Sequence, residues 1–145
     1  MKITSLNELQ FHSGNVLVVE DDPINRTLLS KLLKGKGLNV YTAKDGRGFV
    51  DMVSKNQTLG VDLVILDELM PRMNGTVALR VAREEFGFNK PVAFLTGSDL
   101  HEHRQKCKLS GSTEILTKPV NILNLNNMLM RYLSEKVCYH EEKEK

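Results

Sequence analysis

Short apolar runs alternate with amphipathic stretches along most of the chain. Val16–Val19 is apolar at every position, as in a strand buried on both faces. Pro23 follows at a position suited to a first helical turn, with Asp22 as its N-cap. Ile24, Leu28, Leu29, Leu32 and Leu33 then recur at helical spacing, until Gly35 and Gly37 end the segment. Asn39–Ala43 reads as a second strand, and Gly46–Asn56 as a helix carrying Phe49, Val50 and Val53. Val61–Leu66 is a third strand, and Gly75–Phe86 a helix through Val77, Ala78, Val81 and Ala82. Pro91–Leu95 gives a fourth strand, Asp99–Leu109 a polar helix closed by Gly111, and Glu114–Thr117 a short fifth strand. Pro119 breaks that strand, and Ile122, Leu125, Leu129 and Tyr132 mark a last amphipathic helix. Connections this long between short apolar strands demand crossovers, so the pattern predicts an α/β fold with a parallel sheet and helices on both faces. The ends lack the pattern. Residues 1–13 read as an N-terminal arm, 14–135 as one domain, and 136–145 as a charged C-terminal tail.

Composition narrows the functional classes. Hydrophobic residues make up 41% of 145, enough for a core, and the formal net charge is +2. So small a balance gives no electrostatic ground for a nucleic-acid or membrane partner. No apolar run reaches the ~18 residues of a transmembrane span, and the first residues lack the apolar stretch of a signal peptide. A cytoplasmic location is expected. Cys107 and Cys138 have neither disulfide-framework nor metal spacing and read as two unpaired thiols. His101 and His103, two apart on a helix, do not face one another. Met70, Met73, Met128 and Met130 read as loop and packing residues. Lys31, Lys34 and Lys36 compensate a helix dipole rather than form a nucleic-acid patch. No Walker-type loop is present, so nucleotide binding is not expected.

In parallel sheets of this kind, ligands sit at the carboxyl ends of the strands. Those ends carry the chemistry. The first strand runs into Glu20, Asp21 and Asp22, the third into Asp67 and Glu68, the fourth into Thr96, and the fifth into Lys118 and Pro119. Each group alone has a plainer reading: an acidic triplet favours a helix N-terminus, and an Asp after a strand caps or turns. Together they converge on one place. Carboxylates from two strands repel there, and a hard divalent cation such as Mg²⁺ resolves the repulsion while accepting phosphate oxygens. Lys118 supplies a point charge and Thr96 a hydroxyl donor, both suited to a phosphoryl group. The chemistry indicated is phosphoryl transfer onto a carboxylate nucleophile.

The stretches VLVVEDDPINR (16–26), DLVILDELMPRMNG (62–75), PVAFLTG (91–97) and EILTKPV (114–120) resemble the receiver domain of two-component response regulators, and the opening EDDPINR resembles receivers of hybrid histidine kinases. The resemblance spans roughly residues 14–135. It implies a flavodoxin-like (βα)5 three-layer sandwich with strand order 2-1-3-4-5. It implies that Asp67 accepts a phosphoryl group from a phosphohistidine, in a switch of protein–protein interactions rather than a turnover enzyme. It implies that Asp21, Asp67 and the Leu69 carbonyl ligate Mg²⁺, that Glu20 acts through water, and that Thr96 and Lys118 are the switch hydroxyl and phosphate-binding lysine. It also implies a cis Lys118–Pro119 bond. Pro71 stiffens the loop after the acceptor, and Gly75 permits a tight turn into the next helix. Ile115 departs from the family, which usually has Tyr or Phe three residues before the lysine. Asp22 adds a third carboxylate, read here as a helix cap.

Two other functions compete. A Mg²⁺-dependent phosphatase with an aspartyl-phosphate intermediate wants a second acid two residues beyond its nucleophile, and that position is Leu69. A phosphorylation-independent binding module has no need of Asp67, Asp21, Thr96 and Lys118 together. Only about ten residues follow 135 here, so output is expected through protein–protein binding, relay to another histidine, or a domain absent from this chain. A partner surface is also legible. At ~100° per residue, the first helix spreads its apolar residues over about 180°, wider than the ~100° stripe that packing on a sheet requires. The surplus edge, Ile24 and Leu28, with the Pro119–Val120 corner, is expected to meet the histidine-bearing helix of a histidine kinase or histidine phosphotransfer protein.

Overall fold

The computed structural model describes residues 9–97, 105, 107, 111 and 114–138. Strands β1 (Asn15–Val19), β2 (Asn39–Ala43), β3 (Leu63–Asp67), β4 (Val92–Thr96) and β5 (Glu114–Thr117) alternate with α1 (Pro23–Lys34), α2 (Gly46–Ser54), α3 (Gly75–Phe86) and α4 (Ile122–Leu133). The strands form one five-stranded sheet in the order β2-β1-β3-β4-β5, parallel at every pairing. The doubly wound order expected from the resemblance is therefore the one observed.

Side-chain alternation along each strand divides the core. On one side, Val16, Val18, Leu63, Ile65, Ala93 and Leu95 pack with Leu29 and Leu33 of α1 and with Leu125 and Leu129 of α4. On the other, Leu17, Val19, Val64, Leu66 and Phe94 pack with Phe49 of α2 and with Ala78 and Leu79 of α3. β1, β3 and β4 are apolar at consecutive positions because both of their faces are covered. β2 is one of the sheet's two edges and exposes Tyr41.

Several boundaries differ from the expected ones by one or two residues. β3 and β4 each run one residue further, through Asp67 and Thr96. Those polar residues close the ladder, in register with Leu95 and Thr117 respectively, which apolar patterning does not register. α2 stops at Ser54, and Asn56 adopts φ 58°, incompatible with continuing a right-handed helix. The Asp99–Leu109 helix, with His101 and His103, lies outside the described residues apart from Gln105 and Cys107. Cys107 is buried, and neither Cys107 nor Cys138 is in a disulfide.

Residues 9–12 and 136–138 pack against the same end of the domain. Leu9, Phe11 and Val137 join the core. Phe11 and Val137 form an antiparallel bridge, flanked by His12 N–H donating to the Lys136 carbonyl at 2.9 Å and Cys138 N–H to that of Gln10 at 2.7 Å. Gly37, at φ 89°, is required there, because a Cβ would collide with the Phe11 carbonyl oxygen.

Candidate functional site

The site lies at the carboxyl ends of β1, β3, β4 and β5, where the sheet delivers its first polar residues. Glu20 follows β1. Its own N–H donates to the Ala43 carbonyl at 3.2 Å, and its carbonyl accepts from Arg26 Nη1 at 2.8 Å. The chain then enters α1 through Asp22, whose Oδ1 accepts the Ile24 N–H at 2.9 Å, with Pro23 in the first helical turn. Asp22 is thus a cap, as expected, and it leaves Glu20 and Asp21 to face the pocket.

Asp67 ends β3. Its Oδ1 accepts the Leu69 N–H at 3.3 Å and lies 2.9 Å from Lys118 Nζ. Lys118 also lies 3.6 Å from Glu20 Oε2, so one ammonium bridges two carboxylates that are each about 2% exposed. Lys118 is held in place by its N–H, which donates to the Thr96 carbonyl at 2.8 Å, and it precedes a cis peptide to Pro119. One carboxylate oxygen from each of Glu20, Asp21 and Asp67 lies within 4.8 Å of the others. Such an all-oxygen, acidic donor set fits a hard divalent cation.

The electrostatics are those of crowded, buried acids. Burial pushes Glu20 from its ordinary 4.5 up to about 7, the Asp67 charge adds to the shift, and Lys118 and the Asp22 N–H oppose it. Burial likewise raises Asp67, against the hydrogen bond and charge of Lys118. Burial pulls Lys118 down, but the hydrogen bonds and charges of Asp67 and Glu20 outweigh it, and the net shift is upward. Two neighbouring carboxylates holding protons more tightly than usual, beside a lysine holding its own, describe a pocket short of positive charge.

The site residues expected from the sequence lie at this end of the sheet, and Thr96 and Gly75 make further contacts there. Thr96 donates its hydroxyl to Glu68 Oε2 at 3.3 Å. Glu68 is buried, and its place after β3 does not by itself indicate this contact. Alternation turns the residue after Asp67 towards the opposite face of the sheet, so its type alone gives it no place in the pocket. Gly75 is not in the left-handed region; what it provides is space. A Cβ there would strike the Asp67 carbonyl oxygen and lie 2.8 Å from Phe94 Cε1, while the Gly75 N–H donates to the Glu68 carbonyl at 2.9 Å. Gly75 therefore lets α3 close directly onto the Asp67 backbone. Ile115 is half-buried against the α2–α3 side of the core.

A groove of about 560 Å³ opens beside the acids, lined by Glu20, Leu28, Leu29, Lys118, Pro119 and Val120 among others. Leu28 in its α1 wall is 61% exposed, and Ile24, one turn earlier on α1, is 69% exposed. Among the described residues, no helix is long and apolar enough to cross a membrane.

Comparison with known proteins agrees with this geometry. The family model of the response regulator receiver domain matches residues 16–130. Over 117 residues the chain is 38% identical to the sensor histidine kinase RcsC of Salmonella typhi, a match covering 81% of this chain and 12% of that protein. The chain thus spans about one-eighth of that relative's length. It is similar to the receiver domain of the sensor histidine kinase PA1611 from Pseudomonas aeruginosa PAO1, solved with a magnesium ion coordinated in the active site cleft (TM-score 0.73, 28% identity, covering 84% of this chain and 98% of that one). It is equally similar to a co-crystal structure of the Saccharomyces cerevisiae histidine phosphotransfer signaling protein Ypd1 and the receiver domain of its downstream response regulator Ssk1 (TM-score 0.73, 28% identity, covering 84% and 90%).

Proposed function

The chain belongs to the response regulator receiver domain family, and from that membership we propose that it is the phosphoacceptor of a cytoplasmic phosphorelay, with Asp67 as the acceptor. The observation that carries the assignment is the bridge from Lys118 Nζ to Asp67 Oδ1 at 2.9 Å, beside Glu20 and Asp21. It sets a nucleophilic carboxylate against a cationic side chain able to neutralise an incoming phosphoryl group.

In this reading an Asp67 carboxylate oxygen attacks the phosphorus of a phosphohistidine. The P–O bond forms, the P–N bond breaks, and the imidazole leaves with the electron pair. Lys118 turns its charge to the phosphoryl oxygens, and Thr96 offers its hydroxyl to one of them. Asp21, Asp67 and the Leu69 carbonyl would hold Mg²⁺ directly and Glu20 through water; the chemistry it supplies there is neutralisation of the phosphoryl charge. Leu69 carries no ionisable side chain to protonate a leaving group, so the outcome is one stoichiometric phosphorylation rather than turnover. The donor is a histidine kinase or a histidine phosphotransfer protein, its helix lying over Ile24, Leu28, Pro119 and Val120, where the apolar groove meets the acids. With Ile115 in place of an aromatic, the switch reports through the loops around Asp67 rather than through a ring.

Incubation with acetyl phosphate, with and without Mg²⁺, followed by intact-protein mass spectrometry tests the reading. One Mg²⁺-dependent phosphate per chain supports it. Continuous release of phosphate would favour an enzyme, and no labelling would favour a binding module.

A further inference from the structure

The contact between Thr96 and Glu68 has no part in the chemistry above, yet it engages the hydroxyl that chemistry needs. Both side chains are buried, at 1% and 2% exposure. Thr96 Oγ1 donates to Glu68 Oε2 at 3.3 Å. The backbone holds the two in place: the Glu68 N–H donates to the Leu95 carbonyl at 2.9 Å, its carbonyl accepts from Gly75 N–H at 2.9 Å, and the Thr96 carbonyl accepts from Lys118 N–H at 2.8 Å. Neither residue can drift from the other without opening the sheet end.

A threonine hydroxyl has a single proton to donate. Given to Glu68, it is not available to a phosphoryl oxygen on Asp67. We propose that Glu68 is a positioning residue that holds the Thr96 hydroxyl in the unphosphorylated state, so that phosphorylation must draw the hydroxyl's hydrogen bond away from a buried acceptor. The inference rests on the reading of Asp67 as phosphoacceptor. The separation is long for an O–H···O bond, which fits a restraint that phosphorylation can break rather than a permanent lock. Its consequence is a threshold: the chain shifts to its phosphorylated conformation less readily than it would with an apolar residue at position 68.

The test uses beryllofluoride with Mg²⁺ as the phosphoryl probe, with binding measured by calorimetry on the full chain. Glu68→Leu removes the acceptor and should tighten beryllofluoride binding about fivefold, the scale of one net hydrogen bond. Removing a negative charge could tighten binding by itself, so the measurement is repeated in a Thr96→Val background. If Glu68 acts through the hydroxyl, Glu68→Leu changes affinity by less than about twofold there. A full tightening that persists without the hydroxyl would make Glu68 a charge only and overturn the proposal, as would unchanged affinity in Glu68→Leu. Glu68→Ala removes the acceptor without adding a branched side chain, and it must show the same dependence on Thr96. The ¹³C shift of the Thr96 methyl gives an independent readout: in Glu68→Leu the probe-free shift should move towards its beryllofluoride-bound value. Failure of the unsubstituted chain to bind beryllofluoride would overturn the acceptor reading itself, a result distinct from the other two.

Discussion

Lys118 Nζ lies 2.9 Å from Asp67 Oδ1, and this contact reaches across the sheet from the end of β5 to the end of β3. β4 lies between them, and the Thr96 carbonyl fixes the Lys118 backbone from there. The ammonium therefore arrives in the pocket by sheet geometry rather than by the chance of a long side chain.

The first expectation concerns this pair. Asp67→Asn should abolish the mass gain of one phosphate under acetyl phosphate. Lys118→Met keeps the length of the side chain and removes its charge. Labelling should then slow by at least about an order of magnitude, the scale of losing one pre-placed charge at a reacting group. A mass-spectrometric time course measures both. An unchanged rate in Lys118→Met would exclude the lysine from the transfer.

Asp21 and Asp22 are neighbours with different duties. Asp22 spends an oxygen on the Ile24 N–H, whereas Asp21 points an oxygen into the acidic cluster. Asp22→Ala should lower stability by about 0.5–2 kcal/mol, as loss of an N-cap does, with Mg²⁺ affinity changed less than about twofold. Asp21→Ala should weaken Mg²⁺ at least about tenfold and leave α1 capped. Calorimetric Mg²⁺ titration and urea unfolding separate the two effects. Equal losses of metal affinity would mean that Asp22 also faces the ion.

The raised acids make metal-free stability depend on pH. Glu20 sits at about 7 in the folded chain against an ordinary 4.5. Between those values the folded state binds more protons than the unfolded one, so stability falls as pH rises through that window. Asp67 shifts in the same direction. Lys118 is raised from 10.5, so its contribution is intact below that pH and does not offset the fall. With EDTA present, the unfolding free energy from urea titration should fall from about pH 5 to about pH 8, by at most ~1.4 kcal/mol per pH unit for each group, and the urea midpoint with it. Glu20→Gln should flatten the profile. Mg²⁺ should restore stability most at the alkaline end, where the acids are ionised. A midpoint that rises over this range would contradict the assigned burial of Glu20.

What could be read from the residues, and what could not, divides along local and tertiary chemistry. The strand runs at Val16–Val19 and Leu63–Leu66, the Asp22–Pro23 helix start and the acids after β1 and β3 announce themselves through neighbours in sequence. Glu68 does not, because its partner Thr96 is 28 residues away on another strand. Gly75 announces itself as a turn residue, but the Asp67 backbone lying against it, which excludes a side chain there, is not visible in the local sequence. Leu9, Phe11 and Val137 are isolated apolar residues in segments without a period. Their burial depends on two chain ends meeting, which periodicity along either end does not encode.

The last expectation is where the phosphodonor docks. On α1, Leu29 and Leu33 are buried against the sheet, while Ile24 and Leu28 are 69% and 61% exposed. The surplus arc of the helix is thus free of the core, as its width required. Leu28 of that arc lines the groove that ends at Glu20, Lys118 and Pro119, and a helix resting on it would bring a histidine to the acids. Exposed apolar side chains removed from such a surface change stability by less than about 0.5 kcal/mol. Ile24→Ala combined with Leu28→Ala should therefore leave urea unfolding and acetyl-phosphate labelling nearly unchanged, because neither needs a docked protein. Transfer from a phosphorylated histidine phosphotransfer protein should slow at least about tenfold, and its KM should carry most of the loss, since the contacts are made before the P–N bond breaks. If labelling by the small donor falls in parallel, the two side chains support the pocket itself and the docking surface lies elsewhere.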